Sequence, residues 1–121
     1  ESIHRAKTGA LLRASVRMGA IFAGADAAQL AALSSFGEHI GLAFQIVDDI
    51  LDVEQSSEQL GKTAGKDAAQ HKITFPAVYG LDRSRVMAAS ERAAAHGALA
   101  SFGTRAHRLL EIADLIVDRS S

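Results

Sequence analysis

An all-α fold of about five helices is what this sequence predicts, and three observations carry the prediction. Hydrophobic residues make up 48% of the 121 positions while aromatics supply only 5%, so alanine and other helix formers dominate the apolar fraction over strand formers. Proline occurs once, so little interrupts long helices. Apolar residues also recur at spacings of three and four, the period of an amphipathic helix.

The elements follow in order. Residues 3–24 form the first helix, with Leu11, Leu12, Val16, Ile21 and Phe22 at near-helical spacing and Arg5, Arg13 and Arg17 on another face. Asp26 follows Gly24 and caps the second helix, because its carboxylate accepts a backbone N–H of the first turn. That helix carries Leu30, Leu33, Phe36, Ile40, Phe44, Val47 and Leu51 inward and ends near Glu54. Residues 55–72, QSSEQLGKTAGKDAAQHK, lose the apolar stripe and read as a long loop; such loops in a compact domain are commonly functional. Thr74, with Pro76 in the first turn, starts a third helix ending near Gly80. Ser84 is expected to cap a fourth, to about Phe102, and Thr104 a fifth, to Arg119, with Leu109, Ile112, Leu115 and Ile116 inward.

The chain is long enough for a single domain that buries roughly 60 to 70% of its unfolded surface. Its 13 basic and 14 acidic residues give a net charge of −1, and their scatter offers no basic face for nucleic acid or an anionic membrane. The absence of cysteine excludes a disulfide framework, a thiolate zinc site and a cysteine nucleophile, and is compatible with a cytoplasmic setting. Arg13, Arg17 and Asp26 interrupt the apolar region 10–33, so no membrane span is expected.

QIVDDILDV, residues 45–53, concentrates the chemistry. On a helix Gln45, Asp48 and Asp52 form one polar stripe and Asp49 lies a step round the cylinder, so the three carboxylates are expected to line one groove. Two carboxylates about 6 Å apart repel by roughly 3 kcal/mol at an effective dielectric near 20. No Lys or Arg lies between Glu38 and Lys62 to offset this. An isolated DxxxD is ordinarily a solvated helix end, but Ile46, Val47, Ile50, Leu51 and Val53 make these aspartates insertions in an apolar helix. A hard divalent ion held through oxygen, Mg²⁺ with waters and phosphates completing its shell, resolves the repulsion. Lys7 and Thr8, next to Gly9 in the first turns of an apolar helix, offer a phosphate a point charge and a hydrogen-bond donor; the plain alternative is a surface lysine. His4, His39, His71, His96 and His107 make no HxxxH or HExxH pair and read as structural or exposed.

Taken in order, HRAKTGALLRAS, GAIFAGA, GLAFQIVDDILDV and LGKTAGKDAAQHKITFPAVYGLDRSR resemble the C-terminal half of a trans-isoprenyl diphosphate synthase of the farnesyl or geranylgeranyl kind. The likeness covers residues 1 to about 88 strongly and the last two helices loosely. It implies part of the isoprenoid synthase helical bundle, with 1–121 as the C-terminal part of a polyprenyl synthetase domain. Asp48, Asp49 and Asp52 match the family's second aspartate-rich motif, which implies Mg²⁺ bridging to the diphosphate of an allylic substrate. By the same resemblance Lys7, Lys62 and Lys72 contact that diphosphate, Gln45 and Thr8 sit beside the developing allylic cation, Asp67 orients a metal-bound water, and Phe44 lines the prenyl cavity. The implied reaction is head-to-tail condensation of isopentenyl diphosphate with an allylic diphosphate, giving a C15 or C20 product in a homodimeric parent.

The family's first aspartate-rich motif and the basic residues that grip isopentenyl diphosphate are absent here. The start at Glu1 reads as a cut, and the segment is expected to be inactive alone. Two other classes stand beside this one: a non-catalytic synthase-like subunit that binds a partner, which three repelling carboxylates disfavour, and a related helical terpene cyclase, which the GKTAGKD segment disfavours.

Overall fold

Helix starts and stops along this chain are set by side chains that satisfy the otherwise orphaned backbone groups of a helix end. At Asp26 the carboxylate accepts the Gln29 N–H at 2.8 Å and the Gln29 amide oxygen accepts the Asp26 N–H at 3.0 Å, a reciprocal capping box. The computed structural model describes the backbone of residues 2–60 and 73–119 and the side chains of 7–56 and 73–119. Helices are α1 (Ser2–Phe22), α2 (Ala27–Leu60), α3 (Phe75–Tyr79), α4 (Leu81–Ala98) and α5 (His107–Asp118), with a 3₁₀ segment, Ala100–Ala106, before α5. There is no strand among the described residues, and the fold is all-α.

The boundaries correct the sequence reading in three places. First, α2 runs through Leu60, so the first six residues of the expected 55–72 loop are helical; residues 61–72 lie outside the described residues. Second, Thr74 caps α3 as expected, accepting the Ala77 N–H at 3.2 Å, but Ser84 does not cap α4. Gly80 serves both helices: its N–H donates to the Pro76 carbonyl at 2.8 Å and its carbonyl accepts the Ser84 N–H at 3.0 Å. Its φ of +87° lies where only glycine is unstrained, which allows the chain to leave α3 and enter α4 without a linker. Ser84 is buried one turn into α4, where its hydroxyl donates to the Gly80 carbonyl at 2.8 Å. Third, Thr104 lies inside the 3₁₀ segment, and α5 starts at His107.

Helix α2 is the axis of the fold and packs against every other helix, whereas α1 leans mainly on α2. Two core clusters run along it. Phe36 and Ile40 pack with Ala95, Leu99, Ala106 and Ala113, and Leu12 and Val16 of α1 close over this group. Ile46, Val47, Ile50 and Leu51 pack with Ala88 of α4 and with Phe75, Leu81 and Val117. By length and composition the stretch Ala27–Ser56 is apolar enough to cross a bilayer, a candidate that the expectation of no membrane span overlooked; here its apolar surface forms these two clusters. The expected inward stripe of α5 is rotated: Ile112 and Leu115 are exposed, and Leu110, Ala113 and Val117 join Leu109 and Ile116 against the core.

The α1–α2 seam is made by glycine. A Cβ on Gly41 would stand 3.3 Å from the Cα and the carbonyl oxygen of Gly9, and one on Gly37 would stand 3.0 Å from the Cα of Arg13. Backbones therefore meet where side chains normally would. Along the same seam Arg13 pairs with Glu38 at 2.9 Å and Arg17 donates to the Ser34 hydroxyl at 2.6 Å.

Candidate functional site

The glycine seam continues directly into the polar stripe. Gln45, Asp48 and Asp52 follow Gly41 at helical spacings of four, three and four, so they extend the line along which α1 approaches α2. A Cβ on Gly9 would stand 3.4 Å from the Gln45 amide nitrogen. The seam thereby brings the Lys7–Thr8–Gly9 turn of α1 against Gln45, with Lys7 exposed and Thr8 and Gln45 half-buried. Side chains far apart in sequence thus converge on one end of the helix pair.

The neighbouring aspartates divide. Asp48 is part-exposed, with 39% of its side chain accessible, and Asp52 one turn on is half-buried on the same face. Asp49 is buried at 2% exposure and its Oδ2 accepts the Phe75 N–H at 3.1 Å. It fastens the first turn of α3 to α2. One of the three carboxylates expected to line the groove is thus tied through one oxygen to α3, because one residue step turns a helical side chain by about 100°. Among the described residues no group of three or more His, Asp or Glu side chains is arranged to hold a metal. Mg²⁺ does not need such a cage: it keeps several waters and takes one or two carboxylates plus phosphate oxygens. Asp48 and Asp52 fit that donor set.

Among the described residues, a counter-charge for Asp48 comes from the far end of the chain. Arg119 Nη2 stands 3.6 Å from Asp48 Oδ1 and donates to the Phe44 carbonyl at 3.3 Å, while Nε donates to the Ile116 carbonyl at 3.2 Å. Its guanidinium lies over the Phe44 ring, 4.4 Å from the centroid, a cation–π contact of about 0.5 to 2 kcal/mol. Sequence reasoning missed Arg119 because nothing in spacing links it to α2. A lone cation closing an amphipathic helix was its only signal. Phe44, expected in the wall of a prenyl cavity, is half-buried beneath this guanidinium.

An open cleft of about 380 Å³ lies on the other flank of α2, floored by Val47, Ile50, Leu51 and Ala88 and rimmed by Arg85, Arg92 and Arg119. Its arginines are engaged: Arg85 pairs with Glu54, and Arg92 with Asp118 at 2.9 Å. His39 and His96 tie helices together, whereas His107 pairs with Glu111 within α5 at 3.2 Å. His39 Nδ1 lies 2.7 Å from Glu91 and His96 Nε2 lies 2.9 Å from Asp114. Lys62, Asp67 and Lys72 lie outside the described residues.

Residues 1–102 match the sequence pattern of the polyprenyl synthetase family. The chain belongs to that family. It is 47% identical to the chloroplastic geranylgeranyl pyrophosphate synthase of Catharanthus roseus, over 100% of this chain and 34% of the relative. It is 46% identical to a dimethylallyltranstransferase of Fischerella ambigua, over 98% of this chain and 34% of the relative. A third relative is the heterodimeric geranylgeranyl pyrophosphate synthase large subunit 1 of Arabidopsis thaliana, 44% identical over 100% of this chain and 33% of its own length. This polyprenyl synthetase chain thus spans about a third of the length of the curated relatives it matches. The family match covers α1 through α4, and so includes the glycine seam, both aspartates of the stripe and Gln45, while α5 with Arg119 lies beyond it.

Proposed function

We propose that this chain carries the allylic-diphosphate side of an Mg²⁺-dependent prenyltransferase that condenses isopentenyl diphosphate with an allylic diphosphate. One observation carries the reading: the Gln45–Asp48–Asp52 stripe of α2, with the Lys7–Thr8–Gly9 turn of α1 packed at its head through Gly9 and Gly41. In this reading two carboxylates, a lysine and two neutral polar groups serve one end of a helix pair. The names of the relatives, which include geranylgeranyl pyrophosphate synthases and a dimethylallyltranstransferase, support the reaction class, and the geranylgeranyl names favour a C20 over a C15 product.

Asp48 and Asp52 would hold the divalent cation, and Lys7 would add a positive charge for the diphosphate. Mg²⁺, when bound, stabilises the negative charge that grows on the departing diphosphate. The carbon–oxygen bond to that diphosphate breaks, its electron pair leaving with the oxygen. The terminal double bond of isopentenyl diphosphate supplies the electrons of the new carbon–carbon bond, and loss of a proton from the adjacent carbon restores an alkene. Gln45 and the Thr8 carbonyl orient their oxygens toward the allylic cation, where negative dipoles lower the barrier more than they stabilise the neutral substrate. Lys62 and Lys72 are assigned to the diphosphate and Asp67 to a metal-bound water, by resemblance. Without the family's first aspartate-rich motif, the 121-residue segment does not elongate on its own. The parent is a homodimer in this reading.

The test is chain elongation by the full-length protein and by the isolated segment, each given Mg²⁺, an allylic diphosphate and isopentenyl diphosphate. The full-length protein should elongate and the segment should not. Asp48→Asn or Asp52→Asn should lower kcat on the order of a hundredfold, as loss of one transition-state charge stabiliser does. Robust elongation by the segment alone would remove the claim of inactivity. A full-length protein that binds a partner subunit yet never elongates would put the non-catalytic subunit first.

A further inference from the structure

Arg119 has no part in the chemistry proposed for the site, yet among the described residues it is the cation beside Asp48. Three of its four contacts do not involve that carboxylate: the Ile116 carbonyl at 3.2 Å, the Phe44 carbonyl at 3.3 Å and the Phe44 ring at 4.4 Å. The guanidinium is thus held on the Phe44 turn of α2 whatever Asp48 binds. The remaining contact, 3.6 Å to Asp48 Oδ1, is beyond hydrogen-bond length. It is electrostatic, so the carboxylate is not committed to it by geometry. Asp49, by contrast, is engaged at hydrogen-bond distance by the Phe75 N–H.

We propose that Arg119 is a resident counter-charge that makes cation binding at Asp48 conditional on diphosphate. The proposal rests on the reading of Asp48 and Asp52 as the carboxylates that hold Mg²⁺. A fixed guanidinium this close offsets part of the carboxylate's charge and repels a divalent ion that arrives alone. The same positive charge attracts a diphosphate. A metal–diphosphate pair therefore gains from Arg119 what the bare metal loses, and each partner of the pair tightens the other by the same factor. The physical consequence is that the site does not trap free metal. It fills when substrate comes.

The experiment is Mn²⁺ binding to the full-length protein at low ionic strength, read from the loss of the free-ion paramagnetic resonance signal, with and without inorganic pyrophosphate. Arg119→Gln should tighten Mn²⁺ alone by about three- to tenfold and reduce the tightening that pyrophosphate brings. Arg119→Lys, which keeps the charge, should stay closer to the unmodified protein. Phe44→Leu removes the ring that holds the guanidinium; it should shift Mn²⁺ binding in the same direction as Arg119→Gln and serves if that variant does not fold. A purely structural Arg119 would leave Mn²⁺ affinity unchanged or weaker on substitution, and that result overturns the proposal. Asp48→Asn is the separating control. If it leaves Mn²⁺ binding intact in the otherwise unmodified protein, the metal-site reading itself fails and this inference falls with it.

Discussion

The two flanks of α2 use opposite packing solutions. Toward α1, Gly37 and Gly41 let the backbones touch; toward α4, Ile46, Val47, Ile50 and Leu51 fill the space with side chains against Ala88. The glycine flank leads into Asp48 and Asp52, whereas Asp49, one step from Asp48, turns inward to the start of α3. Adjacent residues of the same type thus serve different ends. Close backbone approach brings the Lys7–Thr8 turn to within reach of the polar stripe, while the side-chain flank supplies the rigid support beneath it.

Breaking the glycine flank should have the largest effect. Gly41→Val places branched carbons where Gly9 backbone already stands 3.3 Å from a Cβ, so α1 must lift, at a cost of about 1 to 3 kcal/mol or more. Chemical denaturation should record the loss. Activity should fall further than stability alone explains, because Gln45 loses its α1 neighbours.

Next comes the contrast between the two aspartates. Asp49→Ala leaves the Phe75 N–H without its acceptor and should cost about 1 to 3 kcal/mol, with faster hydrogen exchange at the Phe75 amide. Asp48→Ala loses a part-exposed ion pair and should cost less than about 1 kcal/mol, yet abolish cation binding. Equal stability losses at the two positions would erase the distinction drawn between them.

Thr74→Ala removes the cap of α3 and should cost about 1 kcal/mol, read as a lower melting temperature. The smallest effect is expected at Arg13–Glu38, whose side chains are 50% and 59% exposed. Glu38→Gln should change stability by less than about 1 kcal/mol, and by less still at high salt.

Caps show how unevenly local signals translate into structure. Asp26 and Thr74 both read correctly as helix starts, because each follows a break in the apolar pattern and precedes a clean helical run. Ser84 and Thr104 have the same chemistry and failed. Gly80, at a φ of +87°, had already started α4, which left Ser84 to bond back to the Gly80 carbonyl, and the 3₁₀ segment absorbed Thr104. In α5 the paired apolar residues Leu109–Leu110 and Ile116–Val117 allow two neighbouring phases, and contact with Phe36 and Leu99 through Ala113 chose between them.

By itself the sequence determined the helical class, the long second helix, the stripe of Gln45, Asp48 and Asp52, and the family. These depend on residue type and on a period of 3.6, which are local properties. Tertiary structure alone decided that Gly9 meets Gly41, that Asp49 fastens the start of α3, and that Arg119 stands beside Asp48. Each of these joins residues from different helices, and no spacing along one chain encodes which face of a neighbour will be there.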